Sequence, residues 1–279
     1  MKLIRLFIVS LSLILSPLYT FAQGNAILKD LERYTAISKF LKYYDNIAWH
    51  TTDSIMKKGP DAMEGLGRHW FIYFDNENKP HCVYGKFENN LYKAKYHFTV
   101  DQSNNIVETK EDIHQEICAN YSRALDNAFS FHANRLSNPR INYNQYVYLD
   151  SLDNIVVNIF PAFQSDGTAP FGYEVHMVYD KTGENLLNDY SYFSEKGIRY
   201  YDLNKQKQLV IDYSESDSLH LGAVFYVYYY TTFNLDVTLI TKDYRLKLAM
   251  NNPKNHYWIS VPTKDLKQKS KSSKKNKEK

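Results

Sequence analysis

His114 and Cys118 stand four residues apart, the spacing at which two side chains on one helical face can share a metal ion. A metal needs further ligands, and nothing nearby supplies them; helix packing with one exposed imidazole is the plainer expectation. His97 and His176 take matching places on the polar faces of two strands if the chain repeats itself, and a pseudo-symmetric site would then unite them. Two solvated imidazoles are the alternative. Asp75, Asp101, Asp150 and Asp180 each end a predicted strand, and paired carboxylates can run acid–base hydrolysis. An aspartate opening a turn, however, is placed there because its side chain accepts a backbone N–H two residues on, which accounts for all four.

Cys82 and Cys118 are the only cysteines, and in an oxidising compartment such a pair can bridge; two unbonded buried thiols are the alternative. Trp49, Trp70, Phe163, Phe171 and Trp258 fall on polar-side or loop positions, where they would form a stacking surface for sugar or peptide, or else edges of the core. There is no G-x-S-x-G, no H-E-x-x-H and no phosphate-cradling glycine loop. No cofactor is implied.

The first 22 residues have the form of an export signal: Lys2 and Arg5, an apolar run from Leu6 to Leu15, and Thr20-Phe21-Ala22 before Gln23. That run is too short to span a bilayer, which takes about 20 residues, and no later stretch is longer and apolar. The expected address is therefore the periplasm, the outer envelope or the medium. Net charge is +3, but the segment Lys264 to Lys279 holds eight lysines against Asp265 and Glu278, leaving an acidic body with a disordered basic tail at 264–279. Export argues against nucleic acid as its partner.

To position such residues the chain has 25 Tyr and 15 Phe, a composition suited to a packed sheet whose rings keep hydroxyls near partners. Helical periodicity covers Ala26 to Ala48, and a second short helix starts at Asp53 and stops at Gly59-Pro60; Pro60 to Arg68 reads as loop. Alternation then predicts strands at 69–74, 81–87, 91–100 and 106–108. In the third, Tyr92, Ala94, Tyr96, Phe98 and Val100 share a dry face, with Lys93, Lys95, His97 and Thr99 on a wet one. A helix follows, capped by Thr109 with Asp112 and ended by Ser137-Asn138-Pro139, with a stripe of Ile113, Ile117, Tyr121, Ala124, Ala128 and Phe131. Strands resume at 141–149, 155–160, 173–179, 185–193, 198–202 and 209–213, with a loop from Pro161 to Gly172. Leu221 to Phe233 suits a buried strand by propensity and a helix by its capping residues 216–218; strands 237–241, 244–249 and 256–261 complete the chain.

The expected fold is α+β and mostly antiparallel: two helix-plus-four-strand meander units, 26–108 and 109–193, in one domain 23–263 with added C-terminal strands from 194. In layout alone this resembles cystatin-like and tandem inhibitor-type folds; no motif carries the likeness, so no residue role comes with it. The leading functional expectation is an exported, non-catalytic binding or envelope protein contacting a protein or glycan. A hydrolase built from distant His and Asp residues and a periplasmic metal-binding protein are the alternatives. Oligomeric state is not legible.

Overall fold

From Leu31 onward, small or apolar residues recur every three or four positions: Leu31, Thr35, Ser38, Leu41, Tyr44, Ala48, Thr51 and Ile55 are all buried. This is the stripe of an amphipathic helix, the inner face of α1 (Lys2–Met56) in the computed structural model, which describes residues 2–101, 105–252 and 255–263. The buried hydroxyls of Ser38 and Thr51 donate to the carbonyls of Tyr34 and Ile47 one turn back, at 2.7 and 2.8 Å, and so stay satisfied. The break expected after Ala48 is absent; α1 continues to Met56, and Gly59, at φ 126°, turns the chain into a 3-10 turn at Pro60–Met63. The basic tail lies outside the described residues.

The strands β1 (His69–Phe74), β2 (Pro80–Glu88), β3 (Leu91–Val100) and β4 (Ile106–Glu108) form an antiparallel meander in chain order. Then come α2 (Gln115–Phe131), α3 (Ala133–Leu136), β5 (Tyr143–Leu149), β6 (Ile155–Pro161), β7 (Thr168–Phe171) and β8 (Tyr173–Tyr179). They are followed by β9 (Leu186–Asp189), β10 (Tyr192–Phe193), β11 (Arg199–Asp202) and β12 (Gln208–Asp212). The chain closes with α4 (Leu221–Thr231), β13 (Asp236–Ile240), β14 (Tyr244–Asn252) and β15 (Asn255–Pro262). The second sheet runs β10-β8-β6-β5 with β9 also on β8, and β7 pairs β11. The fold is mixed α+β and its described strand registers are antiparallel. Two compact units result: residues 39–209, and the described parts of 1–38 and 210–279. Both expected helix-plus-meander segments lie, from Lys39 on, in the first unit.

Within residues 39–209, β1 presents alternate side chains to two helices. Trp70 and Phe74 pack on Tyr44 and Phe40 of α1, while Phe71 packs on Tyr121 of α2. β1 and β5 lie side by side without a backbone ladder. Side chains take its place: the amide of Gln145 donates to the carbonyls of Arg68 and Trp70 at 2.6 and 2.8 Å. The fully buried Tyr44 hydroxyl accepts the N–H of Ile72 at 2.7 Å and of Val147 at 3.5 Å. His69 ties β1 to α2, its Nε2 bonding Asp126 at 3.0 Å while Nδ1 accepts the Phe87 N–H.

Two expectations are corrected here. The register of β2 on β3 shifts between Tyr84↔Tyr96 and Gly85↔Ala94, leaving Lys95 as the extra residue of a bulge. A bulge switches the strand's faces, so Tyr92 packs on Phe71 toward α2 while Tyr96 and Phe98 face α1, and His97 and Thr99 are buried rather than wet. The second correction is the start of α2. Thr109 does not cap it; its hydroxyl accepts the Glu111 N–H in a local turn. His114 is the cap, with Nδ1 accepting the Ile117 N–H at 3.4 Å. The buried stripe accordingly centres on Cys118, Tyr121, Leu125 and Ala128, and Phe131 is exposed.

In the other unit, the sheet β12-β13-β14-β15 packs with α4. Leu221–Thr231 is a helix whose N-cap position is His220, without a side-chain capping bond, rather than residues 216–218. Nine of its first ten residues, all but Tyr229, are buried, the all-round burial of a core helix that propensity alone does not distinguish from a strand. Trp258 of β15 donates from Nε1 to the Thr35 hydroxyl at 2.8 Å.

The bulge demands glycine at 85, since a Cβ there would collide with the Lys93 carbonyl. Gly85→Ala is expected to destabilise the protein by about 1–3 kcal/mol, the cost of overpacking a closed site, measured as a lowered midpoint in urea with unchanged slope.

Candidate functional site

The strand-end acids and middle histidines do meet, though in a different combination from either expected one. Asp75 Oδ2 lies 3.2 Å from His81 Nε2, His81 Nδ1 lies 2.9 Å from His97 Nε2, and His97 Nδ1 lies 3.0 Å from the Glu111 carbonyl oxygen. Both rings are buried, and Tyr73 stacks on His81 at 4.9 Å. A carboxylate and a carbonyl, which only accept, terminate the chain. Closing its three hydrogen bonds therefore takes three ring protons, one more than two neutral imidazoles carry. Burial lowers the pKa of His97 more than its bond to Glu111 raises it. All four ring nitrogens are engaged. The arrangement is a strut tying β2, β3 and the approach to α2, each ring nitrogen facing a partner within the fold.

Asp75 also fills the turn role expected of it, accepting the N–H groups of Glu77 and Lys79 at 2.9 Å. Asp150 does the same with Leu152 and Asn154, Asp180 accepts from Glu184 and Asn185, and Asp101 accepts from Asn105. Turn chemistry thus accounts for these acids.

The remaining candidates are dispersed. His114 is occupied as a helix cap, and Cys118 is buried four residues on. His176 lies on β8 opposite Asn158 of β6, edge-on to Tyr190 and apart from the His81–His97 pair. Among the described residues no three His, Cys, Asp or Glu side chains converge as a metal site would require. Cys82 and Cys118 are free, both buried, and the geometry explains why no bridge forms. Cys82 pairs with Ile72 and its sulfur contacts Thr51 of α1, whereas Cys118 belongs to α2 on the other face of the sheet. Burial pushes each thiol up to about 12. Of the aromatic candidates, Trp49 and Phe163 are exposed, Trp70 stacks on Tyr84, Phe171 is buried beneath Arg199, and Trp258 belongs to the other unit.

The described clefts differ in whether their polar groups are already engaged. In a groove beside His97 most polar groups are engaged: Lys95 and Tyr96 donate to the Ala62 carbonyl, Glu108 pairs with Lys58, and Glu111 pairs with Lys79, while Lys110 and Asp112 add charges of opposite sign. A smaller one near Asp30 and Asp217 is lined by acids paired to Arg33 and Lys242.

The third is a cleft of about 360 Å³ where α3 and its exit meet the start of β8 and β11. Asn134, Arg135, Ser137, Asn138, Tyr173, Ile198 and Tyr200 line it. Here the Asn134 amide and the hydroxyls of Tyr173 and Tyr200 have no protein hydrogen bond among the described residues, while Asn138 uses only its carbonyl oxygen, accepting from the Arg140 N–H. Arg135 sits over the rings of Tyr173 and Phe193, at 5.9 and 5.5 Å. Phe193 is held in turn by His132, which Asp189 fixes at 3.1 Å. Gly172, at φ 113°, is required, because a side chain there would press on Ser194 and the Gly197 carbonyl. Tyr143 lies behind: its buried hydroxyl has no partner, and burial first, then the nearby Tyr173 and Tyr200, push it up to about 12.

No family model, curated protein or solved structure matches the chain. The cleft was missed in sequence because its residues come from three separated segments, none with a motif; the single local signal was the Ser137-Asn138-Pro139 helix stop.

Two predictions follow from this geometry. The backbone and His81 bonds outweigh the opposing effect of burial and hold Asp75 below the ordinary carboxylate value, so its contribution is present above that value and lost as pH falls through the lower folded one. Asp75→Asn should therefore lower stability at neutral pH by about 1 kcal/mol, the small end for a charged hydrogen bond that is partly solvated, and flatten the acid limb of a stability–pH curve. Thiol reagents should leave both cysteines unmodified in the native protein and label both in denaturant without reduction; labelling only after reduction would restore the bridge.

Proposed function

We propose that the protein is an exported, non-catalytic binding protein that takes a saccharide in the cleft at α3. The observation that carries this reading is the conjunction of two tyrosine rings at the surface with amide, hydroxyl and guanidinium groups whose N–H and O–H donors make no protein hydrogen bond among the described residues. A sugar ring offers C–H faces that pack against an aromatic face and hydroxyls that both donate and accept. Asn amides and Tyr hydroxyls match that dual character, and a few convergent polar groups in a concave site give orientation. The cleft is large enough for one or two sugar units. Export is supported by the N-terminal residues Lys2 to Ala22, and among the described residues no helix is long and apolar enough to cross a membrane.

The hydrolase alternative had its best support in the Asp75–His81–His97 chain, whose nitrogens are all engaged. A periplasmic metal carrier has no ligand set among the described residues.

The test uses protein isolated from the native envelope fraction, whose mass should place Gln23 first, applied to an immobilised panel of neutral and acidic glycans. Binding is expected to at least one glycan class and to fall at least tenfold in Tyr200→Ala, which removes an exposed ring at unchanged melting temperature. No glycan retained, or equal retention by Tyr200→Ala, would contradict the reading.

A further inference from the structure

We infer that the saccharide is acidic, and that Arg135 receives the carboxylate of a uronate-type unit. The inference rests on the saccharide reading above and adds the charge of the ligand. The cleft is lined by one cation and no acid. Elsewhere Lys58 pairs with Glu108, Lys79 with Glu111, and Lys242 with Asp217, and Arg123 of α2 has Glu184. Arg135 has no carboxylate partner among the described residues; its neighbours are the rings of Tyr173 and Phe193. Asp189, which fixes the ring of His132 behind Phe193, is already bonded to His132.

Ring contacts hold a guanidinium in place without using its N–H donors in N–H···O bonds. A guanidinium so placed presents a planar fork that fits a carboxylate through two parallel bonds. Holding the side chain before the ligand arrives also reduces the ordering entropy that binding would otherwise cost. The sugar ring then lies against Tyr200 with its hydroxyls toward Asn134 and Asn138, the carboxylate reaching Arg135.

Calorimetric titration of the full chain with trigalacturonate, a neutral trisaccharide and inorganic phosphate distinguishes the sources of negative charge. Trigalacturonate should bind at least tenfold more tightly than the neutral sugar at low salt. Arg135→Gln should weaken trigalacturonate at least tenfold more than the neutral sugar at an unchanged melting temperature, and Arg135→Lys should keep part of the difference. Equal affinity for acidic and neutral sugars would overturn the inference and leave the saccharide reading standing. Phosphate competing as well as trigalacturonate would overturn it in favour of a free-anion site. Binding of neither sugar would overturn the saccharide reading and this inference together.

Discussion

The Tyr44 hydroxyl is the point on which the 39–209 unit depends. It is fully buried and accepts backbone N–H groups from two strands, Ile72 of β1 and Val147 of β5, that share no ladder. Buried N–H groups at an unpaired strand edge are costly unless something accepts from them. Tyr44 accepts from them, and the Gln145 amide donates to the carbonyls of Arg68 and Trp70, so that side chains join two meanders where backbone pairing stops. Burial raises the Tyr44 hydroxyl well above the usual phenol range, which keeps its proton in place.

Once that seam is closed, the sheet has two covered faces, and much else follows from which face a residue takes. Cys82 and Cys118 are separated because they belong to opposite faces. The Lys95 bulge moves Tyr92 to the α2 side and buries His97, where it meets His81. The cleft at α3 belongs to the same side of the chemistry as α2: His132, at the C-terminal end of α2, and Asp189 of β9 hold Phe193, and Phe193 supports Arg135. A binding surface assembled this way rests on regular elements rather than on a free loop, which favours preorganisation.

Much of the framework was legible because strand alternation and turn chemistry are local. The spans of β1, β3, β4 and β8 follow directly from periodicity between Asp-led turns. Helix starts were less legible: Thr109 has a capping residue's hydroxyl, but it is used two residues on, and His114 caps through a ring nitrogen. Leu221–Thr231 could not be assigned because a segment buried on all sides has no period to read. The third strand misled because one extra residue, Lys95, reverses every later face. The site was illegible for a different reason. Tyr173 and Tyr200 are ordinary strand tyrosines until Asn134 and Arg135 are brought beside them from another element, so the tryptophans drew the search for a stacking surface instead.

The account's central claim is where a ligand lands. Amide chemical-shift mapping of the isotope-labelled protein during titration with an acidic oligosaccharide tests it directly. The account predicts the largest perturbations at 134–138, 172–174 and 198–200. Perturbations concentrated instead on the exposed face of α1 around Trp49, or in the groove beside His97, would contradict it.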